Sequence, residues 1–216
     1  MKKYKVMLFD MDGTLADTDP MIVETFNILY DRFKNGKRRP PEEIYYFSGP
    51  PIRQTLAKEF PELDQKYIFD VFHKVSRSLY DTHIFPYPDE REVLLEFKKR
   101  GIKLGIVTNK MHELTLVALK IINLEDIFDV VIGFDDVKNG KPNKEGIVKA
   151  TSEFGESLED TLYVGDNVLD LETANNAGVD CCLVSWGPRV LPKDINPTFK
   201  INSYKDFLEK AYGKDL

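Results

Sequence analysis

Five short runs of mostly apolar residues, four of them ending in a polar or acidic residue, constrain what this chain can fold into. Val6, Met7, Leu8 and Phe9 form the first, and KLGIVTN, Val130–Ile132, TLYVGD and CCLVS supply the others. Continuous rather than alternating apolarity marks strands of a parallel sheet covered on both faces. Between the runs lie amphipathic helical patterns: Val93, Leu94 and Phe97, then Leu114, Val117, Ala118 and Ile121, then residues 144–154, then Val168–Ala177 closed by Gly178. Asp89 is placed to cap the first of these, which ends in Lys98, Lys99, Arg100 and a terminating Gly101. Alternating β and α units predict a doubly wound, Rossmann-like parallel α/β sheet with right-handed crossovers and CCLVS as its last strand.

The segment after the first strand breaks this alternation. Ile22, Phe26, Leu29 and Phe33 fall at helical spacing, as do Ile68, Phe72, Val75 and Leu79, and no strand signal interrupts them. SGPPIRQTLAKEF predicts a further helix with Pro51 in its first turn. A helical block inserted there is most simply a small all-helical cap domain, residues 17–84, on a core of residues 1–16 and 85–216.

With 216 residues, 42% of them hydrophobic, the chain can bury a proper core. Its 36 acidic residues against 30 basic ones, a formal charge of −6, disfavour non-specific nucleic-acid binding. The basic KNGKRRP cluster reads as a solvated loop. No apolar stretch approaches the roughly 20 residues that span a bilayer, and no signal-peptide pattern is present. The expectation is a cytoplasmic protein with neither nucleic-acid nor membrane partner, a monomer or weak dimer. Adjacent Cys181 and Cys182 would point to opposite faces of a strand and stay reduced.

Asp10 and Asp12 stand where the first strand ends, the edge at which open α/β sheets bind ligands. Two like charges about 4 Å apart repel by roughly 4 kcal/mol at an effective dielectric near 20, so the pair calls for a cation or a shared proton. Taken alone, Asp before Gly13 and Thr14 also fits a turn cap. Other strand ends add to it. Thr108 and Asn109 offer a hydroxyl, an amide and backbone N–H groups for phosphate oxygens, and Lys141 sits in a loop between Gly140 and Pro142. Asp166 and Asp170 fit either metal binding or an N-cap with a first-turn acid.

Together DMDGT, IVTN, GKP and GDNVLD resemble, in order, the four motifs of the haloacid dehalogenase superfamily in its phosphatase branch. PYPDEREVLLEFKKRGIKLGIVTNK is similar to the stretch between cap and second motif in phosphoglycolate phosphatase-like members. The resemblance implies Mg2+-dependent hydrolysis of a small phosphate monoester through an aspartyl-phosphate. Asp10 would be nucleophile and metal ligand. Asp12 would be the acid and base, meeting the metal through its backbone carbonyl. Asp166 would be a further metal ligand, with Asp170 a ligand or a support behind it, and Lys141 would bind the phosphoryl oxygens. Asp10, Asp166 and Asp170 with a phosphate dianion approach five negative charges, and Mg2+ with Lys141 cancels three.

In the helical block SGPPIR resembles a substrate-specificity loop, so Gly49 and Arg53 are candidates for leaving-group contacts. The mutase branch has a cap histidine soon after the first motif, and this chain has none before His73. Phosphonate-cleaving relatives need a cap lysine where SGPPIR offers Arg53. The implied substrate is a small phosphorylated metabolite, phosphoglycolate first, with inorganic pyrophosphate or a sugar phosphate as alternatives. A non-catalytic phospho-ligand-binding module is the reading of another class. Asn167, where Ser or Thr is common, and Asp89, where Gly is common, depart from the pattern.

Overall fold

The computed structural model describes residues 4–212. Its main sheet has six strands, all parallel: β1 (Val6–Phe9), β4 (Lys103–Val107), β5 (Val130–Ile132), β6 (Thr161–Gly165), β7 (Asp180–Val184) and β8 (Phe199–Ile201). The order β5-β4-β1-β6-β7-β8 places β1 beside β4 and β6, with Leu8 opposite Gly105 on one side and Tyr163 on the other. Helices α5 (Glu90–Lys99), α6 (His112–Ile121), α7 (Glu145–Glu153), α8 (Val168–Ala177) and α9 (Tyr204–Tyr212) complete the layers.

Side-chain alternation along β1 divides the core in two. Met7 and Phe9 join Val93, Phe97, Ala118 and Phe207 on one face, while Val6 and Leu8 join Ile147, Ala150, Leu171 and Ala174 on the other. Cys182 belongs to the first cluster and Cys181 to the second, both free and buried. Burial pushes both thiols up, so they stay protonated and unreactive.

CCLVS is not the last strand. Phe199–Ile201 adds a further parallel strand, and α9 follows it. This β8 is too short and too interrupted, by Lys200, to show as an apolar run. Asp89 occupies the N-cap position of α5 but makes no side-chain cap; its carboxylate pairs with Lys205 at 3.0 Å. Its φ of +61° is left-handed, which glycine adopts freely and Asp tolerates, so the residue departs from the family pattern at a position whose backbone explains the usual glycine.

Where the chain leaves the core and returns, β2 (Ala16–Asp17) and β3 (Phe85–Pro86) pair as a two-residue antiparallel ribbon. Between them α1 (Asp19–Phe33), α2 (Pro41–Ile44), α3 (Ile52–Glu59) and α4 (Gln65–His83) form a helical cap with its own core of Ile22, Phe26, Leu29, Ile44, Leu56, Phe60, Ile68 and Phe72. In α4 the buried stripe turns from Ile68 and Phe72 to Ser76 and Tyr80, the i, i+4 row, rather than to Val75 and Leu79. Pro51 caps α3 from outside instead of entering its first turn. KNGKRRP is a loop, but its arginines are not simply solvated. Arg38 pairs with Asp31, and Arg39 with Glu43 and Glu59.

Candidate active site

Parallel strands present their carboxyl ends along one edge, and β1, β4 and β6 deliver Asp10, Thr108 and Asp166 there side by side. The ligand atoms of Asp10, Asp166 and Asp170 lie within 4.8 Å of one another, all buried. Two cations, Lys141 and Arg189, offset the three acids, and a third, Lys110, holds Asp12 beside them.

Lys141 is the first. Its Nζ lies 2.8 Å from Asp10 Oδ1 and 2.7 Å from Asp170 Oδ1, fully inside the protein. Burial pulls its ammonium down, but the two carboxylates outweigh that and hold it above its ordinary range. Asn109 fixes the loop that carries it, accepting from the Lys141 N–H at 2.8 Å and donating to the Lys141 carbonyl at 3.2 Å. The same amide donates to the carbonyl of Gly49 in the cap at 2.8 Å. Expected as a phosphate donor, Asn109 thus directs its side chain to protein groups. Thr108 is buried, and its hydroxyl oxygen accepts from the Lys110 N–H at 3.2 Å.

Lys110, which the sequence reading passed over, is the second cation. Its Nζ lies 2.9 and 3.2 Å from the two oxygens of Asp12 and 5.2 Å from the ring centre of Tyr80 in α4. Asp12 therefore turns its carboxylate to Lys110 and stays out of the three-acid cluster. The only signal in the sequence was a lysine directly after the Thr108–Asn109 strand end.

Arg189, the third, was also missed. It lies in the segment beyond β7, is 7% exposed, and meets Asp166 Oδ2 at 2.8 Å and Asp19 Oδ1 at 2.5 Å. Asp19 is the acid in the first turn of α1. Gly13, at φ +83°, is required here: a Cβ would stand 2.3 Å from Asp166 Oδ2 and 2.8 Å from Arg189 Nη1.

Asp170 is saturated. Besides Lys141 it accepts from the N–H groups of Asp166 and Asn167 at 3.1 and 3.2 Å, and the Tyr163 hydroxyl stands 3.3 Å away. The N-cap of α8 is Asn167, whose side chain accepts from Leu169 N–H at 2.7 Å, so the departure from Ser or Thr preserves the cap. Asp166 is no cap. One of its oxygens serves Arg189, and the other has only a 3.3 Å bond from Asn167 Nδ2.

In these paired groups, five carboxylates (Asp10, Asp12, Asp19, Asp166, Asp170) face three cations, leaving two formal negative charges. Burial pushes Asp10 up to about 6 against the pull of Lys141, and Asp166 up to about 8 against Arg189. Asp10 Oδ1 has the Lys141 ammonium at 2.8 Å as its partner. Three buried carboxylates with ligand atoms within 4.8 Å of one another, an all-oxygen donor set with acids in excess of cations, fit a hard divalent cation.

The cap candidates divide. Gly49 lies directly on the core, where a Cβ would come 2.9 Å from Asn167 Nδ2, so it permits the close approach of cap and site. Arg53 is exposed and stacks over Phe69 at 3.5 Å. Among the described residues no helix is long and apolar enough to cross a membrane.

Comparison with known proteins agrees with this geometry. Residues 7–184 match the family model of the haloacid dehalogenase-like hydrolases. Pyrophosphatase PpaX of Halalkalibacterium halodurans is 32% identical over 205 residues, 94% of each chain. A solved structure described as a haloacid dehalogenase-like hydrolase, from Bacteroides fragilis, has a TM-score of 0.80 at 29% identity, covering 87% of this chain and 90% of that one. A predicted phosphoglycolate phosphatase from Haemophilus somnus, at 22% identity, shares the fold with a TM-score of 0.85 over 97% of this chain and 99% of that one. With this match, and with the acids and cations of its sheet edge in place, the chain belongs to the haloacid dehalogenase-like hydrolases as an enzyme that cleaves phosphoric esters.

Proposed function

We propose that the chain is a Mg2+-dependent phosphatase of small phosphorylated metabolites that carries the phosphoryl group on Asp10. The observation supporting it most strongly is the cluster of three buried carboxylates, Asp10, Asp166 and Asp170, within 4.8 Å of one another at the sheet edge, where acids outnumber cations. Asp10, Asp166 and the Asp12 carbonyl would hold the ion, with Asp170 behind them organising Lys141. Bound there, Mg2+ would offset substrate charge and polarise a phosphoryl oxygen.

The remaining steps belong to the chain's own side chains. An oxygen of Asp10 bonds to phosphorus as the bond to the leaving oxygen breaks, and Asp12 gives that oxygen a proton. Water then attacks the phosphorus, Asp12 takes its proton, and phosphate leaves Asp10. Lys141 and Thr108 steady the equatorial oxygens. The cap, seated on the core through Gly49, screens the site from bulk solvent.

Inorganic pyrophosphate is the first substrate to assay, because relatives matching nearly the whole chain are named pyrophosphatases. Phosphoglycolate and sugar phosphates come next. A panel of these compounds, with and without Mg2+, tests the reading. Metal-dependent phosphate release is expected, and no turnover of any of them would overturn it.

A further inference from the structure

The last turn of α4 brings one cap side chain up to the partner of the acid/base. Tyr80 lies on that cap helix, yet it is 1% exposed and belongs to the core cluster that holds Met11, Leu15 and Met21. Its ring centre is 5.2 Å from Lys110 Nζ and 5.3 Å from the guanidinium carbon of Arg77, both within the roughly 6 Å over which an aromatic ring attracts a cation. Lys110 is enclosed in turn. Its side chain is 7% exposed, and its ammonium donates to the two Asp12 oxygens at 2.9 and 3.2 Å. Burial pulls that ammonium down, but Asp12 and then Tyr80 outweigh it, so Lys110 stays charged.

A lysine ammonium is a point charge on a flexible four-carbon stem and has no fixed fork of its own. Held by Asp12 alone, it would leave that carboxylate free to shift with it. Tyr80 limits the shift from the opposite side. We propose that Tyr80 is a positioning residue for the acid and base, contributed by the cap: it walls in the Lys110 ammonium, and Lys110 fixes where the Asp12 carboxylate points. The inference rests on the reading above that Asp12 moves the proton. In this role Tyr80 acts on the rate through Lys110 and Asp12, and substrate binding is left to other groups. The cap thus supplies part of the proton-transfer apparatus as well as cover for the site.

The test is steady-state kinetics with Mg2+ on the best substrate of the panel above. Tyr80→Leu should lower kcat about 10- to 100-fold, the scale on which a misplacement near 1 Å slows a reaction, with a smaller change in KM. Tyr80→Phe keeps the ring and loses the hydroxyl that helps hold the ammonium, so it should lower kcat about 2- to 10-fold, the worth of one hydrogen bond. The route through Lys110 shows in a double-mutant cycle. Beside Lys110→Met both substitutions should cost little more, because the cation they hold is gone, whereas a residue that only fills the core would cost as much in either background. Folded Tyr80→Leu and Tyr80→Phe with the wild-type kcat overturn the inference, as do losses that persist in full beside Lys110→Met. Tyr80→Phe and its cycle decide the matter if Tyr80→Leu fails to fold. Wild-type turnover by Asp12→Asn, or no turnover of any panel compound by the wild-type protein, overturns the reading of Asp12 and this inference with it. An inactive Asp12→Asn beside Tyr80 variants of normal rate overturns the inference alone.

Discussion

Asp12 and Lys110 form a pair that turns the Asp12 carboxylate away from Asp10, with Lys110 Nζ 2.9 and 3.2 Å from the two Asp12 oxygens. Asp10 and Asp12 are only one residue apart in sequence, yet each carboxylate has its own lysine, Lys141 for the first and Lys110 for the second. The repulsion that paired acids imply is resolved by giving them different directions and different cations.

Lys110→Met should leave Asp12 without its anchor. We expect kcat to fall roughly 100-fold, at the low end of what general acid–base groups contribute, with a smaller change in KM. Steady-state kinetics on the best substrate checks this, and an undiminished kcat would show that Asp12 needs no such partner.

Asp170→Ala should act on stability as well as rate. Lys141 keeps Asp10 at 2.8 Å, but the N–H groups of Asp166 and Asn167 lose their acceptor, and leaving buried donors unpaired costs roughly 1–3 kcal/mol each. Urea denaturation should show a loss on that scale, whereas an effect confined to Mg2+ affinity would make Asp170 a metal ligand first.

Glu90 should give stability a pH dependence. Both its oxygens lack a hydrogen bond among the described residues, and burial pushes its carboxyl up to about 8. An acid whose folded value is raised keeps its proton in the native state after the unfolded chain has lost it. Stability contributed by this group is therefore full below about 4.5, falls as pH rises towards 8, by up to roughly 1.4 kcal/mol per unit, and then levels off. Glu90→Gln should flatten that part of the curve, measured by urea unfolding at several pH values. A wild-type slope retained by the variant would place the effect elsewhere.

The core strands and the three-acid cluster were legible because each rests on a local pattern: an unbroken apolar run, then an acid or hydroxyl where the run stops. Val6–Phe9 with Asp10, and Thr161–Gly165 with Asp166, are of this kind. What sequence did not reveal depends on contacts between distant segments. Arg189 reaches Asp19 across 170 positions, and nothing near either residue marks it. Lys110 was adjacent to a recognised strand end, but a lone lysine carries no period or spacing. Phe199–Ile201 becomes a strand only because β7 offers it an open edge. Gly49 stood out by its neighbours in SGPPIR, while its reason for being glycine, the approach to Asn167, is a fact of tertiary structure.

The central claim, that the phosphoryl group rests on Asp10, is tested most directly by acid-quenching the enzyme during turnover of pyrophosphate, or of the best substrate in the panel, with Mg2+, and locating the phosphorylated peptide by mass spectrometry. The predicted result is phosphorylation at Asp10, lost in a folded Asp10→Asn variant that no longer turns over substrate. A phosphoryl group found on another residue, or sustained turnover by Asp10→Asn, would contradict the account.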